Sequence, residues 1–494
     1  MKGFFQKIQQ KKSKPLLYVF CGALLLRLIF TLFVAKYYFQ RPDFTFDNDT
    51  GTWMKGLYHL VVDGEFTMDP QKPEAAFCRM PGYSLFMAPP YGIVHASYAI
   101  RGIPVAEHPE MWYTVLKITV GLQLILDSLS AMLITLIAGR LFRDEKTGLF
   151  TGWLYAFYPF VIVWNPVCYS EVASIFFMLL GLWCFIRENT NTRWLLLAGL
   201  SMGFAVLNRP QVALVAIAIP LFSEKTLVKA QLRKVCIYGL AFTICYGSWP
   251  LRNYFRFGEW VFTQDLRAFK NWDKDVVGMM KYLHGVQIGW EPQFSEIMGN
   301  KPVSMPRHTH LSASDSMEYM QVMSLAKKCS KGFSEWKGYS KRDTVSSVEA
   351  KQCSELIASS LNNMLNKQKE ENTFNYYWRI PMLNLKKALF KNHLTEERGF
   401  LRKMASFLFY YRSILLLLGL FFSVKLLLIQ KNNFILGVLF VFLSLYIYLC
   451  FGTAAQCRNI EMRYFLQADI LLLIPLAWGI KEISNRQKIY LNKP

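Results

Sequence analysis

The sequence contains no CxxC pair, no HExxH, no Walker loop and no GxGxxG in a nucleotide-binding context. Metal and nucleotide motifs of the soluble kind are therefore absent. Acidic residues are scarce, with 34 Asp and Glu against 56 Lys and Arg in 494 residues, a net charge of +22. That charge is spread over the whole chain, so nucleic acid is a poor reading of it. No internal repeat is evident, and one long polar insertion makes the two ends unlike each other. That argues against the paired repeats of many transporters. A small-residue cleavage site is also missing after the first apolar run. Leu16 to Ala35 follows a basic head (Lys2, Lys7, Lys11, Lys12, Lys14). The run is too long for a signal-peptide core and reads as a retained anchor.

Apolar length is what the chain has in abundance. Hydrophobic residues make up 53% and aromatics 16%, and several runs are long enough to cross a bilayer. Beyond the first, spans are expected near 113–139, 147–164, 170–186, 194–208, 211–223, 234–250, 404–428, 433–451 and 464–480. The expected fold is an all-α polytopic membrane protein of about ten transmembrane helices. Basic residues collect in the head, at Arg140/Arg143/Lys146, Arg187/Arg193, Lys225/Lys229/Arg233/Lys234, Lys425/Lys431 and in the tail. If the spans alternate, all of these fall on one side, which the positive-inside rule makes cytoplasmic together with both termini. A bacterial inner membrane is the expected location.

Two segments then face outward. The first outer loop, 37–112, carries amphipathic helices within an N-terminal transmembrane module, 1–260. The second segment, 261–403, is large, lysine-rich and mostly helical in pattern, and 404–494 returns to the membrane. Basic character on the outer side favours an anionic substrate or lipid head groups. Most of the ten cysteines read as small apolar residues. Cys329 and Cys353 share the outer segment, where oxidation is permitted, and a bridge between them is left open.

The polar residues that stand out gather on that outer side. Phe46-Asp47-Asn48-Asp49-Thr50 follows the first span, and Arg79-Met80-Pro81-Gly82-Tyr83 lies further along the same loop. Carboxylates beside a bilayer are costly to place unless they bind or react. Glu171 sits in the turn before the fourth span, Arg209 between the fifth and sixth, and Arg252 at the outer end of the seventh. Arg458, Glu461 and Arg463-Tyr464 precede the last span. This set suits group transfer from a phosphate-bearing donor. An acid can deprotonate an acceptor, contributing roughly 10²–10⁴-fold, while arginines grip the phosphate by forked hydrogen bonds. A donor on the outer face is more readily a lipid-linked phosphate than a nucleotide sugar.

Asp49-Thr50-Gly51-Thr52-Trp53, then Leu57, Leu60 and Asp63-Gly64-Glu65-Phe66, resembles the first-loop pattern of the GT-C glycosyltransferases. More narrowly, it is similar to the bacterial relatives of protein O-mannosyltransferases and the lipid A aminoarabinose transferase. Arg79 to Phe86 resembles the proline–glycine–tyrosine segment of that loop. Leu207-Asn208-Arg209-Pro210, Trp249-Pro250-Leu251-Arg252-Asn253-Tyr254 and Arg463-Tyr464 resemble later motifs in the same order. The resemblance covers roughly the first 260 and last 100 residues and leaves about 265–400 unmatched. It implies a polyprenyl-phosphate sugar donor, inverting transfer and a first-loop catalytic acid. Spacing to Trp53 and Gly64 puts that acid on Asp49, with Asp47 a second candidate and Glu171 in the place of a second acid. Arg79, Arg209, Arg252 and Arg463 are the phosphate-binding candidates, and Tyr83 and Tyr464 the substrate-contacting ones. Trp53 stands where tyrosine is usual, and Ser84 and Pro89 alter the following stretch. Sugar and acceptor (protein, lipid or glycan) stay open.

Plainer readings exist for each residue. Asp49 or Thr50 can cap an amphipathic helix starting near Thr52, and Glu171 can sit in a first helical turn favoured by the dipole. The arginines can snorkel toward lipid phosphates. Arg27 and Asp127 lie inside spans, where a structural pair is one reading. His59, His108, His308 and His310 could contribute a metal ligand, but the His308/His310 pair in an unmatched loop reads better as solvent-exposed; no metal ligand is assigned, although a divalent metal stays open. Three other function classes remain. A lipid-linked glycan transporter needs polar groups through the bilayer depth. An O-antigen ligase or polymerase relies on late-loop arginines. A scaffold would use the outer segment alone.

Overall fold

The structure is a computed structural model. It describes residues 2–70, 73–103, 109–187, 191–219, 228–264, 274–286, 313–329, 347–390, 399–429, 443, 445–447 and 462–491. Among these residues there is no strand; the regular structure is helical. Among the described residues, five helices are long and apolar enough to cross a bilayer: Lys14–Phe39, Glu110–Phe142, Ser170–Arg187, Ser406–Ile429 and Met462–Asn485. The expected span at 433–451 lies almost wholly outside the described residues, as do His108, His308, His310, Arg458 and Glu461.

Two expected spans are shaped by proline. The run expected at 147–164 is two helices, Glu145–Ala156 and Pro159–Trp164. Pro159 has no N–H to continue the helix and pushes Tyr158 into an extended conformation (φ −73°, ψ 108°). Pro210 acts likewise, ending Thr192–Asn208 at an extended Arg209 (φ −146°, ψ 106°). Helix starts are set by side-chain caps: Asp144 accepts from Thr147 N at 2.8 Å, and Asn191 from Arg193 N at 3.0 Å.

Helices Pro109–Phe142, Ser170–Arg187, Thr192–Asn208 and Val228–Phe257 pack side by side, and the last helix, Leu466–Leu491, closes against them. Small residues allow the close approaches. A Cβ on Gly199 would lie 2.3 Å from the Tyr238 carbonyl, and one on Gly148 2.6 Å from that of Thr135. Two charged pairs are sealed inside. Arg27 donates to Asp127 at 2.6 Å, both side chains being 0% exposed, so the pair read from the sequence is present. Tyr155 and Asn165 complete the Asp127 carboxylate. Arg412 and Asp469 make a second pair, which also accepts Tyr158 Oη at 2.8 Å. A third pair, Lys481 with Asp144, joins the last helix to the turn after Phe142. It lies at the end of the bundle where the basic residues of Arg140–Lys146 collect.

Within 261–403, Lys274–Val286, Ala313–Cys329 and Ser347–Glu371 build a separate apolar cluster around Tyr282, Tyr319, Ile357 and Leu361. Cys329 and Cys353 are bridged across it. Pi-helical Asn375–Arg379 and helix Ile380–Phe390 then lead toward the Phe400–Ile429 helix.

Candidate active site

The loop after the first apolar helix folds into a helix, Asn48–Val62, that starts earlier than capping at Asp49 or Thr50 predicts. Asp49 therefore sits in the first turn. Thr50 N donates to Asp47 O at 2.8 Å and Asp47 N to Thr50 Oγ1 at 3.1 Å. The Thr50 hydroxyl donates to Cys168 O at 3.1 Å, tying this turn to the stretch that precedes Glu171. A second helix of the loop, Gly82–Ile100, meets the end of Thr192–Asn208 at Gly82. A Cβ there would lie 2.4 Å from the Leu207 carbonyl carbon, so only glycine permits the approach.

These contacts bring distant residues together. Arg79 Nη2 donates to Asp49 Oδ1 at 2.6 Å, and Arg463 Nη2 to Asp49 Oδ2 at 2.7 Å. Arg463 Nε lies 3.7 Å from Glu171 Oε1, the oxygen that also accepts from Arg209. Two carboxylates and three guanidiniums from five chain segments thus form one network, with one positive charge in excess. Aromatic rings wall it. The Arg463 guanidinium is 4.2 Å from the Tyr169 ring, and both Arg463 and Arg209 lie over Tyr464, at 5.4 and 5.2 Å. Arg79 lies 5.1 Å over Trp53.

Exposure separates the two acids. The Asp49 side chain is 26% exposed, whereas Glu171 is 1% exposed behind Arg209. Asp49 is the carboxylate an incoming molecule can reach. Burial pushes its carboxyl up, but Arg79 and Arg463 outweigh that and hold it at about 2. Glu171 Oε2 and Arg209 Nε are buried without a hydrogen-bond partner among the described residues. The back of the network thus keeps unused donor and acceptor capacity.

Other expected residues lie elsewhere. Asp47 accepts from Tyr169 Oη at 2.5 Å and has Arg41 at 3.6 Å. Arg252 donates to Phe66 O at 2.6 Å and Ala76 O at 3.4 Å, fastening the first loop to Val228–Phe257. Tyr83 is fully buried, donates to Gln123 Oε1 at 2.5 Å and stands edge-on to Trp53. Sequence reasoning passed over Tyr169, which links Asp47 to Arg463, and Thr52, which accepts from Arg79 Nε at 3.1 Å. Both lie within two or three residues of a chosen acid, the only signal that singles them out.

A divalent metal suits this donor set poorly. Both Asp49 oxygens accept from arginines, and among the described residues no three His, Cys, Asp or Glu side chains gather as ligands.

Residues 118–249 match the family described as dolichyl-phosphate-mannose-protein mannosyltransferase. The matched stretch includes Tyr169, Glu171 and Arg209 and ends short of Arg252. No curated protein sequence matches the chain. In fold the chain is similar to the oligosaccharyltransferase of Archaeoglobus fulgidus in its apo form, with a TM-score of 0.51 at 11% identity. That similarity covers 96% of this chain and 51% of the other. The same archaeal enzyme tethered with an acceptor peptide gives a TM-score of 0.50 at 13% identity, covering 96% and 50%. ArnT from Cupriavidus metallidurans, bound to undecaprenyl phosphate, covers 93% and 78% at 14% identity. Its TM-score is 0.32. The chain spans about half the length of the oligosaccharyltransferase, and at these identities the likeness concerns fold alone. This integral membrane protein thus carries, over residues 118–249, the sequence signature of the dolichyl-phosphate-mannose-protein mannosyltransferases, a family of glycosyltransferases named for a lipid-phosphate sugar donor.

Proposed function

We propose that the protein is a membrane glycosyltransferase that moves a sugar from a polyprenyl phosphate to an acceptor on the outer membrane face, with inversion. The observation that carries this reading is the reachable Asp49 carboxylate held between Arg79 and Arg463, with Arg209 and Glu171 behind it. Three guanidiniums against two carboxylates leave one positive charge, which matches the single negative charge of a sugar phosphodiester. About ten spans, both termini inside and the network outside complete the arrangement, and Lys481–Asp144 marks the inner end.

In this reading the donor phosphate engages Arg79, Arg209 and Arg463. As those guanidiniums turn toward it, Asp49 loses the partners that depress its basicity and becomes able to accept a proton. The acceptor hydroxyl attacks the anomeric carbon from the face opposite the phosphate, and its proton passes to Asp49. The C1–O bond breaks, and polyprenyl phosphate leaves with its second negative charge stabilised by the arginines. Tyr464 lines the route under Arg209 and Arg463. Arg252 and Tyr83, first read as ligands, fit a supporting role better, because their polar groups are already engaged with the protein.

A transporter reading is weakened by the same geometry. Among the described residues, the charged pairs at membrane depth, Arg27–Asp127 and Arg412–Asp469, are 0% exposed and engaged with each other.

Binding and chemistry separate in one experiment. Purified wild type, Arg209→Gln and Asp49→Asn are titrated with a short-chain polyprenyl phosphate, and transfer from the matching mannosyl donor is followed in parallel. Arg209→Gln should weaken binding about tenfold or more, the scale of one charge-assisted hydrogen bond. Asp49→Asn should bind and fail to transfer. Undiminished binding in Arg209→Gln, or normal transfer in Asp49→Asn, would contradict the assignment.

A further inference from the structure

The segment joining the disulfide-bridged helices to the Phe400–Ile429 helix exposes an unusual set of large apolar side chains. Phe374, Tyr377, Trp378 and Met382 are between 46% and 73% exposed and recur at helical spacing. Arg379, Lys386 and Lys387 are exposed beside them. Asn375, Ile380, Asn384 and Leu385, interspersed among them, are buried, and the segment packs on Lys274–Val286 and on the Met462–Phe465 turn that carries Arg463. A soluble helix would not ordinarily present a Phe, Tyr, Trp and Met face to water.

The end of the segment fixes its depth. The Leu389 carbonyl accepts from Arg412 Nη1. Arg412 lies six residues inside the Ser406–Ile429 span, about 9 Å along a helix rising ~1.5 Å per residue. Its neighbours Tyr410 and Ile414 are 71% and 57% exposed on the flank of that span. Leu389 is therefore held at a level where the neighbouring helix already meets lipid. The aromatic face continues that apolar surface, and the basic side chains stand where head-group phosphates would lie.

We infer that Phe374–Phe390 dips into the outer leaflet, its aromatic face against acyl chains and its basic residues at the head groups. It thereby moors the disulfide-bridged outer helices to the bilayer. The occupant of this face is lipid, which distinguishes it from a surface for an acceptor or a second copy. Because the segment packs on the Met462–Phe465 turn, mooring it also steadies the turn that carries Arg463.

The test uses the full chain in vesicles of phosphatidylethanolamine and phosphatidylglycerol, with a photoreactive benzoylphenylalanine at one position and mass spectrometry of the adducts. Trp378 is the probe position, with Tyr377 as a second probe should the first variant fail to insert. Leu417, exposed on the span, and Leu356, exposed on Ser347–Glu371, are the lipid-facing and water-facing references. Expected are phospholipid adducts at Trp378 and Leu417 and none at Leu356. Peptide adducts alone at Trp378 would overturn the inference in favour of a protein partner. No adduct, or lipid adducts equally at Leu356, would overturn it as well. The readout needs no sugar transfer, so its failure leaves the glycosyltransferase reading standing, and the reverse also holds.

Discussion

At Asp49, burial and two arginines pull in opposite directions, and the arginines win. A carboxyl held at about 2, against an ordinary value of 3.8, stabilises the fold at every pH above 3.8. That contribution is lost as pH falls through the folded value. Wild type and Asp49→Asn should therefore differ in thermal stability at pH 7 and converge only as pH drops from about 4 toward 2; a gap that closes near pH 6 would point to a different titrating group. Glu171 behaves differently because it is buried. Glu171→Ala leaves Arg209 without its carboxylate, and removing one partner of a buried pair costs about 3–5 kcal/mol. Thermal unfolding in detergent should show this as a marked loss, with the double variant Glu171→Ala/Arg209→Met recovering part of it. Local motifs made Asp49, Arg79, Glu171, Arg209 and Arg463 legible in the sequence, since each stands beside a turn or a proline at the end of an apolar run. Arg412 and Asp469 obey the same rule as Arg27 and Asp127, being charges inside apolar runs, yet only the first-loop side of the chain drew notice. Tyr169 was hidden by chemistry: one aromatic ring in a chain rich in them carries no sign of its partner.

At the level of elements, the site depends on how closely the first loop is pressed onto the bundle. Gly82 lets Gly82–Ile100 meet the backbone at Leu207 and Asn208, and Arg79 lies three residues before it. Gly82→Ala puts a methyl where carbonyl and amide atoms already stand, which flexible side chains cannot relieve. Transfer activity should fall by at least tenfold, with donor binding weakened, while Gly92→Ala, where a Cβ meets nothing within 4 Å, should stay near wild type. Equal activity of the two variants would remove the close approach from the account. Proline placement explains where the sequence expectation and the structure part. Hydropathy reads 147–164 as one apolar run, but Pro159 interrupts its hydrogen bonding, and a window average cannot register one missing N–H. The early start of Asn48–Val62 has a related cause. Thr50 donates its hydroxyl to Cys168 O, more than a hundred residues away, and its N–H to Asp47 O, so the chain is already turning before the local capping position.

Across the whole molecule, charge and chemistry are sorted to opposite ends. Lys481–Asp144 closes one end, while Asp49, Glu171 and their arginines occupy the other, with the sealed pairs Arg27–Asp127 and Arg412–Asp469 between. The bridged outer helices stand on the side of the site, as an oxidising compartment would require. In intact cells, an impermeant maleimide should label Cys329 and Cys353 only after reduction, whereas labelling without reductant would contradict the bridge. The all-helical plan and the apolar spans were legible because hydropathy is a property of long stretches. The packing of Lys274–Val286, Ala313–Cys329 and Ser347–Glu371 was not, because their apolar cluster is assembled from three helices separated in sequence. The central claim remains that Asp49 acts on a lipid-linked sugar. The most direct measurement is transfer from radiolabelled polyprenyl-phosphate mannose in vesicles carrying wild type or Asp49→Asn. The account predicts transfer by wild type and a loss of roughly 10²-fold or more in the variant, with polyprenyl phosphate binding retained. Transfer by Asp49→Asn at the wild-type rate would contradict it.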